Sequence, residues 1–232
     1  MLNYLLAGDG DWRSYAIQLL LSLPIILFAL SLHETAHGFI ASKLGDPTAK
    51  NLGRLTLNPL KHLDPVGFVC MLLAGFGWAS PVPINSRYFK KPRRDIALVG
   101  LAGPLSNLLL AVVFLLILRF VGFGWLATLT FKTELQFNLA YFTLLFLYYG
   151  VYMNVTLAVF NLLPVPPLDG SRIFYVFLPP RLYYKVMQHE RTITLVVMAL
   201  LLLGPLSSLI NLISSWIVKG MFFAVGMQGF LI

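Results

Sequence analysis

The chain has 232 residues, 58% of them hydrophobic and only 11% charged, with a mean hydropathy of +0.81. A soluble domain carries about 25% charged residues and under 50% apolar ones, so most of this chain has lipid as its solvent. That excludes disordered, coiled-coil and nucleic-acid-binding classes, a single cysteine (Cys70) excludes a disulfide scaffold, and the net charge of +8 reads as cytoplasmic loops of a membrane protein.

Four stretches lack Asp, Glu, Lys and Arg: Ser14 to Leu32, Ile96 to Leu118, Leu135 to Leu168, and Thr192 to Val218. A helix crosses a bilayer in roughly 20 apolar residues. The first stretch follows an acidic opening and precedes no small-residue cleavage site, so it reads as a span and not a signal peptide. Its helix is expected over about 14–44, with Gly45-Asp46-Pro47 as the stop. A fifth uncharged stretch, Pro65 to Ser86, is interrupted by Gly75, Gly77, Pro81 and Pro83. Only Val66 to Ala74 remains for a helix, too short to span. The region over about 65–90 therefore reads as a re-entrant segment followed by a loop or β-hairpin, buried in protein or lining a watery cavity.

The second span is expected over about 95–120. The third ends near Leu163 (about 136–163), because Pro164-Val165-Pro166-Pro167 cannot continue a helix. The fourth is expected over about 192–218. The reading is an all-α polytopic membrane protein, residues 1–232 forming one domain of four spans and the re-entrant segment. Lys43, Lys50, Arg54, Lys61, Arg87, Lys90, Lys91, Arg93 and Arg94 separate the first two spans, and Arg172, Arg181, Lys185 and Arg191 follow the third. With both groups in the cytoplasm the helices alternate and the N-terminus lies outside.

The chemistry is concentrated in His33-Glu34-Thr35-Ala36-His37. Residues i and i+4 share a helix face, so His33 and His37 can bind one metal ion, and Glu34 beside them can take a proton from a metal-bound water. Titratable groups in a span cost roughly 2.5–3.5 kcal/mol each, which argues against a chance pair of structural histidines. His37 and His33 precede Lys43 by six and ten residues, which places the pair roughly 9–15 Å below the cytoplasmic boundary at 1.5 Å per residue.

A catalytic zinc takes three protein ligands and a water. The third ligand has to come from His62, His189, Asp46, Asp64, Asp95, Glu134, Asp169 or Glu190. Asp169 stands out because it follows a proline-broken segment just after a span. An ordinary Asp-Gly turn or a helix N-cap explains it equally well. His62 and Asp64 read as loop architecture, His189 and Glu190 as a solvated face, Cys70 as a packed small hydrophobe, and Tyr148, Tyr149 and Tyr152 as packing. Trp78 to Arg87 has the chemistry of an edge strand that could hold an extended substrate, or of a plug closing the cavity.

The pair His33-Glu34-x-x-His37 and Asn161-x-x-Pro164-x-Pro166-x-Leu168-Asp169-Gly170 resembles the site-2 protease family of intramembrane zinc metalloproteases. Gly53-Arg54-Leu55-Thr56-Leu57-Asn58-Pro59, Gly77-Trp78-Ala79-x-Pro81-Val82-Pro83 and Ala102-Gly103-Pro104-x-x-Asn107 resemble its short bacterial and archaeal branch, which has no extra soluble domains. Ser171 and Thr35 depart from the usual family residues, neither at a ligand position. The resemblance implies one zinc held by His33, His37 and Asp169, with Glu34 as general base, and implies that Asn161 and Asn107 lie near the active site. Asn161 could donate to an oxyanion or grip the substrate backbone; Asn107, after Gly103-Pro104, weighs toward helix packing. The implied activity is hydrolysis of a peptide bond in or near a transmembrane segment, in regulated intramembrane proteolysis. The implied setting is a prokaryotic cell membrane with the active site toward the cytoplasm; no nucleic-acid partner is expected. The competing readings are another zinc membrane enzyme, such as a lipid hydrolase, and an idle scaffold, against which the intact Glu34 argues.

Overall fold

The computed structural model describes residues 12–74, 77–126 and 130–231, so the opening acidic segment and Gly75 lie outside the described residues. The helices in chain order are α1 (Trp12–Lys43), α2 (Thr48–Asn51), α3 (Pro65–Ala74), α4 (Pro92–Leu118), α5 (Glu134–Asn161), α6 (Asp169–Phe174), α7 (Pro180–Gln188), α8 (Glu190–Leu203) and α9 (Pro205–Ala224). Four stretches are long and apolar enough to cross a membrane: Ala16–Lys43, Pro92–Gly122, Glu134–Asn161 and Pro205–Ala224. The protein is an all-α polytopic membrane protein.

Local chemistry sets the boundaries. Gly45 takes φ 110°, a conformation open to glycine, and ends α1. Pro92 occupies the first turn of α4, where its missing N–H costs nothing. The Asp95 carboxylate accepts from the Lys91 N–H at 3.0 Å and closes that turn. Thr133 caps α5 through the Gln136 N–H, and Gln136 reaches back to the Lys132 N–H.

One expectation is corrected, and one of two open alternatives is decided. The fourth span is not one helix over 192–218. Gly204 at φ 103° ends α8 and Pro205 opens α9, so only α9 has the length and hydropathy of a span. A left-handed glycine followed by proline is a stop and restart, which hydropathy alone does not register. No β-hairpin forms after α3 among the described residues. The chain from Gly77 to Asn85 is extended and meets its neighbour at one isolated antiparallel bridge, Leu63 to Ala79, with the Ser80 N–H donating to His62 O at 2.7 Å. Pro81 and Pro83 carry no N–H, so a ladder cannot extend past that point.

α1 and α4 run antiparallel, as the pairs His33 with Asn107 and His37 with Val99 require. α4 packs on α5 where Phe114 meets Phe146, and a Cβ on Gly150 would lie 2.3 Å from the Phe114 ring. The main core is the seam of α4, α5 and α9, built from Ala111, Leu115, Leu118, Leu147, Val151, Val155, Ile210 and Phe222. Leu109, Phe120, Leu139 and Trp216 are exposed on the outer faces, as lipid-facing side chains are. At the far end of α4, Arg119 donates to Val225 O just past α9, so the C-terminal ends of α4 and α9 lie together.

Candidate metal centre

His33 and His37 lie one turn apart on α1 with their rings perpendicular (85°) and centroids 4.6 Å apart. Their Nε2 atoms are 3.0 Å apart, and Asp169 Oδ2 lies 3.0 Å from the first and 3.1 Å from the second. Three ligands at 2.0–2.1 Å from a tetrahedral ion are about 3.3 Å apart, so this triangle fits one zinc-sized ion with a small expansion. All three residues are buried, and they form the one group of three or more His, Cys, Asp or Glu side chains able to share a metal among the described residues. Isolated charges at this depth are costly, and a cation shared by three donors removes that cost.

The fold aims each donor. The His37 Nδ1–H donates to Val99 O on α4 at 2.7 Å, which leaves the lone pair of Nε2 directed into the triangle. On the back of His33, the Asn107 amide lies 3.3 Å from Nδ1. Asp169 arrives from a chain that unwinds after Asn161. Val165 N–H donates to Leu163 O and Leu168 N–H to Val165 O through the prolines, and the chain re-enters helix at Asp169. Arg172, one turn on, places Nη1 3.5 Å from Asp169 Oδ1.

Glycine makes the approach possible. A Cβ on Gly103 would lie 2.5 Å from His33 Cε1, His33 Nε2 and His37 Nε2. A Cβ on Gly100 would meet Asp169 O at 3.2 Å, and one on Gly170 would lie 2.3 Å from Leu162 O. The face of α4 against the cluster is thus bare backbone, and α6 is pressed against the end of α5.

Glu34 is held from the other side. Its Oε2 accepts the Val82 N–H at 2.8 Å. Because Pro81 and Pro83 have no N–H, Val82 carries the only backbone donor of that tripeptide. The extended segment is anchored along its length: Arg54 donates to Ser80 O at 2.7 Å, and Asp46 Oδ2 accepts the Asn85 N–H at 2.6 Å. Asp46 also accepts the Thr48 N–H at 2.9 Å and the Thr48 hydroxyl. Burial alone would raise the Asp46 carboxyl, but the Thr48 hydroxyl and the Asn85 and Thr48 amides outweigh it and hold the group below the usual carboxylate range.

The other sequence candidates have structural employment. His62 Nε2–H donates to Thr56 O at 2.8 Å, the carbonyl that also accepts the Thr35 hydroxyl at 2.6 Å. Asp64 accepts the Gly67 N–H at the start of α3, and His189 Nδ1–H donates to Lys185 O. The Asn161 amide nitrogen donates to Leu157 O at 3.0 Å, one turn back on its own helix. Sequence reasoning missed the roles of Val82 and Val99, which act through backbone atoms that no side-chain pattern reports; Gly103 was read as a small residue for close helix packing, but not as the one against the imidazoles.

A helical membrane protein with two histidines and a carboxylate converging beside a hydrogen-bonded glutamate has the layout of a metallopeptidase. Comparison with known proteins agrees: residues 21–205 match the sequence profile of peptidase family M50, and the chain belongs to that family, the site-2 proteases. It is 44% identical over 196 residues to YwhC of Bacillus subtilis, provisionally named a zinc metalloprotease, covering 84% of this chain and 85% of that one. It is 33% identical over 162 residues to Rip2 of Mycolicibacterium smegmatis, named in the same way, covering 68% of this chain and 57% of the relative. MJ0611 of the archaeon Methanocaldococcus jannaschii, also so named, is 29% identical over 163 residues, 68% of this chain and 77% of that one. No solved structure matches the chain.

Proposed function

We propose that this M50 protein is a zinc endopeptidase that hydrolyses a peptide bond in or near a transmembrane segment of a membrane-protein substrate, acting in regulated intramembrane proteolysis as one domain over residues 1–232. The observation that carries the reading is the 3.0–3.1 Å triangle that Asp169 Oδ2 of α6 closes with His33 Nε2 and His37 Nε2 of α1, the helix that also presents Glu34. His33, His37 and Asp169 would hold one zinc per chain. Zinc held there supplies Lewis acidity toward a scissile carbonyl and acidifies water.

The chain's own groups account for the proton. Val82 holds Glu34 Oε2, which leaves Oε1 free to accept a proton as water attacks the carbonyl carbon. The C–N bond then breaks and Glu34 returns the proton to the leaving amine, so that water is divided between a carboxylate and an amine. Asn161, with a second amide hydrogen beyond the one given to Leu157 O, is the candidate donor to the developing oxyanion. An apolar groove of about 400 Å³, lined by Leu30, Trp78, Thr156, Leu157, Phe160 and Ile210, runs beside both Glu34's helix and the end of α5. It supports a substrate that arrives from lipid.

The site belongs toward the cytoplasmic face of a prokaryotic cell membrane. Lys43, Lys50, Arg54 and the basic run before α4 lie at the end of α1 that carries the histidines, while Arg119 and Val225 mark the opposite ends of α4 and α9. The test uses purified protein in detergent with a tagged single-span substrate. Cleavage that stops with a chelator, and that falls at least 10²–10⁴-fold in Glu34→Gln while zinc content is unchanged, is expected. Cleavage at the parent rate in Glu34→Gln refutes the reading.

A further inference from the structure

We propose that Asn107 is a positioning residue for the metal centre: its side-chain oxygen accepts the Nδ1–H of His33 and so fixes which nitrogen of that ring faces the metal. The proposal rests on the zinc reading above and extends it to a residue outside the ligand set.

A neutral imidazole has one N–H. If His33 offers Nε2 to the ion, its proton sits on Nδ1 and needs an acceptor at membrane depth, where water is scarce and an unpaired donor is costly. His37 meets the same need with Val99 O at 2.7 Å. For His33 the recorded partner is Asn107, fully buried on α4, with Nδ2 3.3 Å from Nδ1. In that orientation two donors face each other, and Asn107 Oδ1 is buried without a partner. A half-turn of the amide about its Cβ–Cγ bond exchanges oxygen and nitrogen with almost no change of shape. It places Oδ1 on Nδ1–H, which gives both the ring proton and the amide oxygen a partner and turns Nδ2 to the side that Oδ1 had faced.

The two histidines are therefore served by one helix. α4 supplies a backbone carbonyl to His37 and a side-chain amide to His33, eight positions apart on its length, with Gly103 between them against the rings. A backbone acceptor suffices at Val99. At Asn107 the acceptor has to be carried by a side chain.

The experiment measures zinc affinity by chelator competition, together with melting of the metal-free protein, for the parent, Asn107→Ala and Asn107→Asp. Alanine removes the acceptor; aspartate offers only acceptors. Asn107→Ala is expected to weaken zinc by about 10–100-fold, and Asn107→Asp to return affinity to within a few-fold of the parent. Parent-like zinc affinity in Asn107→Ala overturns the proposal. So does an equal loss in both variants, which would mean that the amide matters for its packing alone. If Asn107→Ala does not fold, the aspartate variant decides: zinc affinity within a few-fold of the parent supports the proposal, and a loss of tenfold or more overturns it. A parent protein that takes up no zinc overturns the metal reading, a failure distinct from variants that differ from a zinc-binding parent in the wrong order.

Discussion

Replacing Gly103 by alanine tests the centre with one methyl group. The added Cβ would lie 2.5 Å from His33 Cε1, His33 Nε2 and His37 Nε2. Ordinary heavy-atom contact is about 3.5 Å, so the overlap is about 1 Å against three atoms at once. Relief comes from withdrawing α4 or from turning the imidazoles, and either moves a donor by several times the ±0.2 Å that a metal site tolerates. Losing an outer partner of a ligand costs about 10–100-fold in affinity, so losing the geometry of a ligand itself should exceed 100-fold, about 2.7 kcal/mol. The fold should suffer less. Overpacking costs about 1–3 kcal/mol, while alanine is favoured over glycine within a helix by about 1 kcal/mol. The variant should therefore melt within a few degrees of the parent when both are metal-free, yet purify with little zinc and show no substrate cleavage. Zinc per chain by elemental analysis, chelator competition and metal-free melting together make the assay. A Gly103→Ala protein with the parent's zinc affinity refutes the close approach of α4 to the histidines, and with it the triangle as described.

Asp169→Ala should lower zinc per chain and cleavage together, whereas His189→Ala, whose ring is engaged with Lys185 O and is not in the cluster, should leave both unchanged; parent zinc content in Asp169→Ala removes it from the ligand set. Asn161→Ala should retain zinc and melting behaviour while slowing single-turnover cleavage by about 10²–10³-fold; early melting with normal cleavage per folded molecule would make it a packing residue. The depressed Asp46 carboxyl contributes stability that is complete above its unfolded value of about pH 4 and is lost as the pH falls through its lower folded value. The melting temperature of the parent should therefore drop on acidification below about pH 4, and Asp46→Asn should flatten that dependence; parallel curves would dismiss Asp46 as the anchor of the extended segment.

What the sequence by itself determined is what local geometry and solvent dictate. Uncharged runs of span length have no alternative to helix in lipid, because backbone groups there can be satisfied only within the segment. His33 and His37 share a helix face whatever surrounds them, since i and i+4 are neighbours by construction. The break after Asn161 follows from prolines that cannot donate. Even Gly204-Pro205 was legible as a stop, but a hydropathy window averages over it.

Tertiary structure decided everything that depends on which helices meet. Asp169 is 136 residues from His33, and by residue type alone it was one carboxylate among several. Only the packing of α6 against Gly100, and of the α1 imidazoles against Gly103, on one helix brings its oxygen to the two rings, while Asp46, Asp64 and Asp95 are spent on turns and caps. The backbone partners were beyond any pattern of side chains. Val82 reaches Glu34, and Val99 reaches His37, through main-chain atoms that every residue possesses, so chain path selects them and residue identity does not.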